Sequence, residues 1–183
     1  MARRIRPHVP ADLTDAQRAL YDAITGGPRA AGPQHFALTA DDGSLRGPFD
    51  ALLLSPEVGS ALQDVGAAIR YRSELDDRAR ELAILLVAAR WDSAFERESH
   101  EAIARAIGFT DVELEALRRE DAGAFADGEG IIARTVVALL DGDLDDGEWD
   151  AAASVLGEAV VFELTSLVGY YSTLALQLRV FRV

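Results

Sequence analysis

The stretch Arg80-Glu-Leu-Ala-Ile-Leu-Leu-Val-Ala-Ala-Arg-Trp-Asp-Ser-Ala-Phe-Glu-Arg-Glu-Ser-His100 is the most informative part of this sequence. Glu81 stands at the head of a continuous apolar run, residues 82–89. Apolar residues on every face of a helix indicate a helix that is buried on all sides. Glu96 and His100 follow, one helical turn apart on one face. A carboxyl expected to be buried, together with a carboxyl–imidazole pair, is typical of a proton-transfer site.

Helices are predicted along most of the chain, and no segment alternates in the way that a strand requires. Thr14 and Thr110 begin capping boxes, Ser55 and Asp76 are N-caps, and Gly108 ends a helix. The apolar residues Val58, Leu62, Val65 and Ile69 predict the buried stripe of the second helix. The predicted helices cover approximately residues 14–25, 55–70, 76–89, 93–107, 110–117, 131–140, 148–156 and 158–180. The sequence therefore predicts an all-α fold.

The N-terminal part, residues 6–48, is rich in proline and glycine and has one helix. Residues 32–48 have no regular period and are interpreted as a loop on the domain surface, as are the acidic residues 120–130. With 183 residues the chain fits a single domain. We expect an extension over residues 1–48 and a helical core over residues 49–183.

Composition limits the function and the compartment. The formal net charge of -13 argues against nonspecific nucleic-acid binding and against an anionic membrane surface. The absence of cysteine excludes disulfides, zinc–thiolate sites and thiol redox centres. The basic first residues are not followed by an apolar segment, and the uncharged run 164–178 is shorter than the ~20 residues that span a bilayer. We therefore expect a cytoplasmic protein.

The sequence contains two weak candidates for a metal site. The turn at residues 141–147 resembles a calcium loop, but its twelfth position is Ala152 instead of the closing glutamate, so helix-capping aspartates are the preferred interpretation. Glu81, Glu96 and His100 could form a two-carboxylate, one-histidine set, which is the less favoured alternative. His8 and His35 are interpreted as structural or exposed, although His35 lies in a loop that could cover a pocket.

Residues 75–108 resemble the carboxymuconolactone decarboxylase family, which includes the alkyl hydroperoxidase D-like proteins. The residues that carry the resemblance are Leu75, Arg78, Arg80-Glu81-Leu82-Ala83-Ile84-Leu85, Ala88, Ser93, Phe95-Glu96, His100, Ala104 and Gly108. Residues 43–56 and 169–172 are similar to the outer elements of longer members. Peroxidase members have Cys-x-x-Cys-x-x-x-His, whereas Ser93, Glu96 and His100 occupy these places here. Neither serine nor glutamate can exchange disulfides, so thiol peroxidase activity is excluded.

The resemblance implies an alkyl hydroperoxidase D-like helical bundle and a site built on Glu81, Glu96 and His100. His100 would be the general acid or base, Glu96 would orient its imidazole or transfer the proton, and Glu81 would share the relay, with a pKa raised by burial. The expected substrate-binding residues are Ser93, Phe95, Trp91, Arg90, Arg70 and Tyr170, with an arginine for a substrate carboxylate. As alternatives, Glu96 and His100 are a surface pair, and Glu81 is a partner of Arg78 or Arg80.

The preferred function is that of a cofactor-independent, decarboxylase-like enzyme, a carboxy-lyase that acts on a small carboxylic acid or lactone in aromatic-compound catabolism. The same residues suit isomerisation, lactone opening or cyclisation. The rival from another class is a non-catalytic oligomeric protein that binds a small molecule. Apolar residues surround most of the last helix, and the resemblance also implies assembly, so we expect a homo-oligomer, a trimer or a trimer of dimers.

Overall fold

The structure is a computed structural model that describes residues 2–27 and 36–183. Within these residues the regular elements are nine α-helices and two short 3-10 turns, together with an isolated antiparallel bridge between Thr39 and Leu45. The helices are α1 (Asp15–Gly26), α2 (Pro48–Leu52), α3 (Pro56–Tyr71), α4 (Asp77–Arg90), α5 (Ala94–Ala106), α6 (Asp111–Arg118), α7 (Asp127–Asp141), α8 (Asp146–Leu156) and α9 (Glu158–Phe181). The predicted all-α fold is confirmed.

Helix α4 is the centre of the bundle, as its apolar run predicted. All ten residues from 79 to 88 are buried, and α4 packs against α5, α7 and α9. The carboxylate of Asp76 accepts a hydrogen bond from the backbone N–H of Ala79 and so caps the helix. Burial on every face places residues 79–88 of α4 in the middle of the core, and Glu81 shares that environment.

The N-terminal extension forms a second, smaller core with α2. Leu20 and Ile24 of α1 pack with Phe49 and Leu52 of α2. The short helix α2 was not predicted, because five residues are too few to show a helical period. The side-chain amide of Gln17 donates a hydrogen bond to the Leu53 carbonyl and ties α1 to the end of α2.

The predicted apolar stripe of α3 is only partly correct. Ile69 is buried, but Val58 is 59% and Val65 42% exposed. The buried face instead contains Gly59 and Gly66, where small residues admit close neighbours. A Cβ at Gly59 would lie 2.3 Å from the Leu52 carbonyl oxygen, and one at Gly66 would lie 2.2 Å from the Tyr170 hydroxyl. The close approach of Leu52 and Tyr170 therefore determines which face of α3 is buried, and the period of apolar residues in the sequence does not show that approach.

The acidic segment 120–130 is more ordered than predicted. A 3-10 turn, Ala122–Ala124, precedes α7, which begins at Asp127. Asp127 and Glu129 lie in the first turn of α7, where negative charge stabilises a helix through its dipole. The prediction that the whole segment is a loop was therefore wrong in its second half.

Helix α9 has 24 residues and is the one helix among the described residues that is long and apolar enough to cross a membrane. Its most apolar window is 44% buried inside this chain. Long core helices pass the same test of length and composition, so the feature is weak evidence for a membrane. Its buried side chains include Val161, Leu164, Leu167 and Leu174.

Candidate active site

Glu81 and His100 are joined directly in the interior. Glu81, in the second turn of α4, is 0% exposed, and His100 of α5 is 5% exposed. The Nδ1 atom of His100 lies 2.6 Å from Oε2 of Glu81. A hydrogen bond of this length between a carboxylate and an imidazole is charge-assisted. The alternative that Glu81 only pairs with an arginine at a helix start is therefore wrong.

Glu96 extends this pair to a third group. Its Oε2 atom lies 3.5 Å from Nε2 of His100, a contact between charges that is longer than a normal hydrogen bond. Glu96 is 4% exposed, and its Oε1 atom has no hydrogen-bond partner within residues 2–27 and 36–183. The interpretation of Glu96 and His100 as a solvated surface pair is therefore wrong. We call Glu81, His100 and Glu96 the acid–histidine–acid cluster.

The pKa of His100 is raised by its two acidic neighbours. Burial alone lowers the pKa of the imidazole, but the charge of Glu81, the hydrogen bond to it and the proximity of Glu96 raise it to about 9. The imidazole is therefore protonated at neutral pH. His100 Nδ1–H then donates to Glu81, and Nε2–H is directed towards Glu96.

The pKa of Glu81 is lowered, opposite to the expectation from burial alone. Desolvation raises it, but the charge and hydrogen bond of His100, with the charges of Arg70 and Arg80, bring it below the ordinary value. The Nε atom of Arg80 lies 3.6 Å from Oε1 of Glu81. The sequence did not show that three cations surround one carboxylate, so the predicted direction was wrong.

Aromatic side chains enclose the side of the cluster that faces a small cavity. The lining residues are Phe36, Pro48, Phe49, Arg70, Phe95, Glu96, Ser99, His100, Tyr170, Tyr171 and Leu174. Phe36 meets Phe95 edge-on with ring centroids 6.0 Å apart, and Tyr171 meets the His100 ring edge-on at 5.4 Å. The cavity volume is about 20 Å³, enough for about one water molecule.

Three of the predicted substrate-binding residues lie at this cavity, namely Arg70, Phe95 and Tyr170. Arg70 is half-buried and contributes its guanidinium to the lining. Sequence reasoning missed Phe36, Phe49 and Ser99 as lining residues. Ser99 precedes His100 and could have been suspected from that position, whereas Phe36 comes from the segment predicted to be irregular and Phe49 from the short helix α2 that was not predicted.

The other three predicted substrate-binding residues, Arg90, Trp91 and Ser93, do not line the cavity. Arg90 binds the carboxylates of Glu120 and Asp141, which draw it away from the cavity and correct its assignment to substrate binding. Trp91 packs against the core, where the guanidinium of Arg179 lies near its ring and donates to its carbonyl. Ser93 is buried at the start of α5 but does not line the cavity.

The remaining titratable candidates have structural roles or cannot be placed. His8 contacts the buried carboxylate of Asp50, as a structural histidine would. His35 lies outside the described residues. Asp145 caps α8, as predicted for the aspartate-rich turn. In the described part of the chain, no group of three or more histidines and acids is arranged to hold a metal ion.

Comparison with known proteins gives one family match. Residues 56–139 match the model of the carboxymuconolactone decarboxylase family. The matched segment runs from α3 to the last turns of α7 and contains Glu81, Glu96 and His100. No curated protein matches the chain.

Proposed function

We propose a chemistry for this chain from the premise that its segment 56–139 belongs to the carboxymuconolactone decarboxylase family. The protein is an enzyme that transfers protons on a small carboxylic acid or lactone without a cofactor, and decarboxylation is the favoured reaction. The observation that carries this proposal is the acid–histidine–acid cluster, buried and in contact with an aromatic cavity.

The cluster suits general acid catalysis. Glu81 holds the Nδ1 side of the imidazole, so Nε2 is the nitrogen nearest Glu96, and Glu96 and His100 both line the cavity. The pKa of His100, raised to about 9, keeps a proton available at neutral pH. A general acid of this kind contributes typically about 10²–10⁴-fold to a rate.

In the decarboxylation, the bond between the carboxyl carbon and its neighbour breaks and releases CO₂. The electron pair of that bond moves into the conjugated carbonyl group and gives a dienolate. The Nε2–H proton of His100, directly or through Glu96, then adds to carbon as the carbonyl group re-forms, and solvent returns a proton to His100. Arg70 binds a substrate carboxylate or stabilises the dienolate oxygen, since its guanidinium lies in the cavity lining.

The same groups support isomerisation or lactone chemistry. In that case the Glu96 carboxylate removes a proton from one carbon and a proton returns at another, with no net change in protonation. Neither reaction needs a thiol, which is consistent with a chain that has none.

A second candidate function is non-catalytic binding of a small molecule. The observation that favours it is the mostly aromatic lining of the cavity, which can hold a ligand by contact alone. The cavity volume of about 20 Å³ is too small for a lactone acid unless Phe36 and Phe95 move, so the cavity must open for either function.

The test incubates the protein with a panel of small unsaturated lactone acids and aromatic acids in D₂O. We expect CO₂ release with one deuterium on the product carbon, or deuterium exchange without CO₂ for an isomerase. His100→Asn should lower the rate about 10²–10⁴-fold. Arg90→Met, outside the cavity, is the matched control and should retain it. Binding without turnover or exchange would favour the non-catalytic alternative, and an unchanged rate in His100→Asn would refute the assigned chemistry.

A further inference from the structure

The carboxylate of Glu96 has an unused hydrogen-bond acceptor beside the cavity. Its Oε2 atom contacts His100, whereas its Oε1 atom is buried and accepts no hydrogen bond from the described residues. Glu96 is 4% exposed and lines the cavity. An ionised carboxylate only accepts hydrogen bonds, and a buried oxygen without a donor is unfavourable. The first property that the site requires of a ligand is therefore a donor placed next to Glu96.

The size of the closed cavity leads to the same requirement. Its volume of about 20 Å³ gives room for about one water molecule, and a water there can donate to Oε1 of Glu96. A ligand that enters takes the place of this water. It must then supply the donated hydrogen bond itself, through a hydroxyl or N–H group, or leave the carboxylate oxygen unpaired.

Arg70 determines the second property of the ligand. Its guanidinium lies in the cavity lining, and its charge helps to lower the pKa of Glu81. In the described part of the chain Arg70 forms no salt bridge with an acid, whereas Arg80, beside the same cluster, binds Asp77. A guanidinium without a carboxylate partner in a mostly aromatic lining favours a ligand that carries a carboxylate.

The charges of the lining limit the ligand to one carboxylate. The lining has two cations, Arg70 and the protonated His100, and one carboxylate, that of Glu96. Both ring nitrogens of His100 are already directed at acids, Nδ1 at Glu81 and Nε2 at Glu96. A second carboxylate on the ligand therefore has no free cation to bind, and the charge of Glu96 repels it strongly at close range in a buried site.

Aromatic rings form most of the remaining wall. Phe36 and Phe95 meet edge-on, as do Tyr171 and the ring of His100. Phe49 adds a further ring to the lining. Aromatic side chains pack well against another flat ring in edge-on or offset arrangements. A ring that enters must part Phe36 from Phe95, because the closed cavity is too small for it.

We infer that the ligand of this cavity is a flat-ringed acid with one carboxylate, which Arg70 binds, and one hydroxyl or N–H group, which donates to Oε1 of Glu96. The inference names the substrate class of the same site and rests on the proposed function only in treating this ligand as a substrate. A site built to bond a hydroxyl group rejects the analogue that lacks it, because the polar group of the protein is left unpaired.

A series of ring-substituted benzoates tests the inference on the wild-type protein, with affinity measured by isothermal titration calorimetry at neutral pH. The 3- and 4-hydroxy acids place the hydroxyl at two distances from the carboxylate, and the better of them should bind about 10–100-fold tighter than benzoate. The corresponding methoxy acid, which keeps the oxygen and lacks its proton, should bind no better than benzoate. The corresponding dicarboxylate should bind about 10-fold weaker than benzoate.

Glu96→Gln separates the donor contact from general affinity. Its amide replaces a charged acceptor with a neutral one and adds an N–H donor. The preference for the hydroxy acid over benzoate should therefore fall about 10-fold, and the dicarboxylate should bind at least as well as benzoate. Glu98→Gln, the same change at an exposed position of α5, is the matched control and should keep the wild-type preferences.

Arg70→Met tests the carboxylate contact. The affinity of every acid in the series should fall about 10-fold or more, because each loses its charge-assisted hydrogen bonds to the guanidinium. Arg90→Met, outside the cavity, is the control. Circular dichroism checks the fold of each variant. NMR signals of the His100 imidazole, which must shift when an acid binds, place the ligand in the cavity.

Equal affinity of the hydroxy acids and benzoate for the wild type, or no binding of any acid in the series, would overturn the inference. So would a preference that Glu96→Gln leaves unchanged, or an affinity that Arg70→Met leaves unchanged. If a variant does not fold, the wild-type series decides alone.

Affinity is measured without turnover, so the two proposals fail separately. Selective binding of the hydroxy acid without CO₂ release or deuterium exchange would refute the proposed reaction and leave the ligand class intact. Turnover of acids that lack the donor, bound as tightly as those that have it, would do the reverse.

Discussion

Two buried carboxylates in this molecule have nearly the same immediate partner and different surroundings. Glu81 and Asp50 are both 0% exposed, and each contacts Nδ1 of a histidine, at 2.6 Å for His100 and 3.2 Å for His8. One pair joins the two central helices of the family segment. The other joins the N-terminal residues to α2.

The difference lies in the remaining oxygen atoms and in the neighbouring space. For Asp50, Arg3 binds Oδ2 and the backbone N–H of His8 donates to Oδ1, so both oxygens are occupied. In the cluster, by contrast, Oε1 of Glu81 and Oε1 of Glu96 have no hydrogen-bond partner among the described residues. Glu96 and His100 also border a cavity. A buried carboxylate with a partner at each oxygen holds the chain together. A carboxylate with a free oxygen beside a cavity can still accept a hydrogen bond from a ligand or take up a proton.

The largest effect should come from Glu81→Gln. Without the carboxylate charge of Glu81, burial opposes only the effect of Glu96, and the pKa of His100 should fall well below about 9. Turnover of any substrate should fall about 10²–10⁴-fold at neutral pH, because the acid form is lost. NMR titration of the imidazole measures the shift. Asp50→Asn is the matched control, and an unchanged His100 titration in Glu81→Gln would contradict the assigned pairing.

The second largest effect should be a loss of stability when Asp50 loses its arginine partner. Arg3→Met leaves Asp50 buried beside His8 alone, and breaking a buried pair costs about 3–5 kcal/mol. The Arg3 side chain is 34% exposed, so we expect a smaller loss of unfolding free energy, about 2 kcal/mol. Chemical denaturation measures it. The double variant Arg3→Met/Asp50→Asn should recover part of the loss, and a double variant less stable than Arg3→Met would contradict the pairing.

Stability should depend on pH through the cluster. The folded pKa of His100 is raised from 6.5 to about 9, so its stabilising contribution is complete below pH 6.5 and is lost as pH rises through 9. The lowered pKa of Glu81 acts at the other end, and its contribution is lost as pH falls below 4.5. Between pH 6.5 and pH 9 we expect the unfolding free energy to decline by up to about 1.4 kcal/mol per pH unit, because His100 loses its proton in that range. Thermal melts of the wild type and His100→Gln compare the slopes, which should be shallower in the variant.

The smallest effect should come from Arg90→Met. Its ion pairs with Glu120 and Asp141 are partly exposed, and such pairs contribute at most about 1 kcal/mol. The His100 titration should be unchanged, because Arg90 does not line the cavity. A shift of that titration would show that Arg90 acts on the site after all.

The sequence alone determined features that depend on residues close together in the chain. Capping boxes at Thr14 and Thr110 form as predicted, since their partners are three residues away. The burial of α4 follows from its unbroken apolar run, and the common face of Glu96 and His100 from four-residue spacing. The family match over residues 56–139 includes both of these helices.

The tertiary structure decided whatever depends on distances between elements. The pKa of Glu81 is lowered because His100, Arg70 and Arg80 converge on it, although burial alone predicts the opposite. Arg70 lines the cavity whereas Arg90 does not, and no local pattern distinguishes the two arginines. The cavity wall at Phe36 and the exposure of Val65 were equally hidden from sequence periodicity. The physical reason is that helical period fixes which side chains share a face, whereas packing between helices fixes what that face meets.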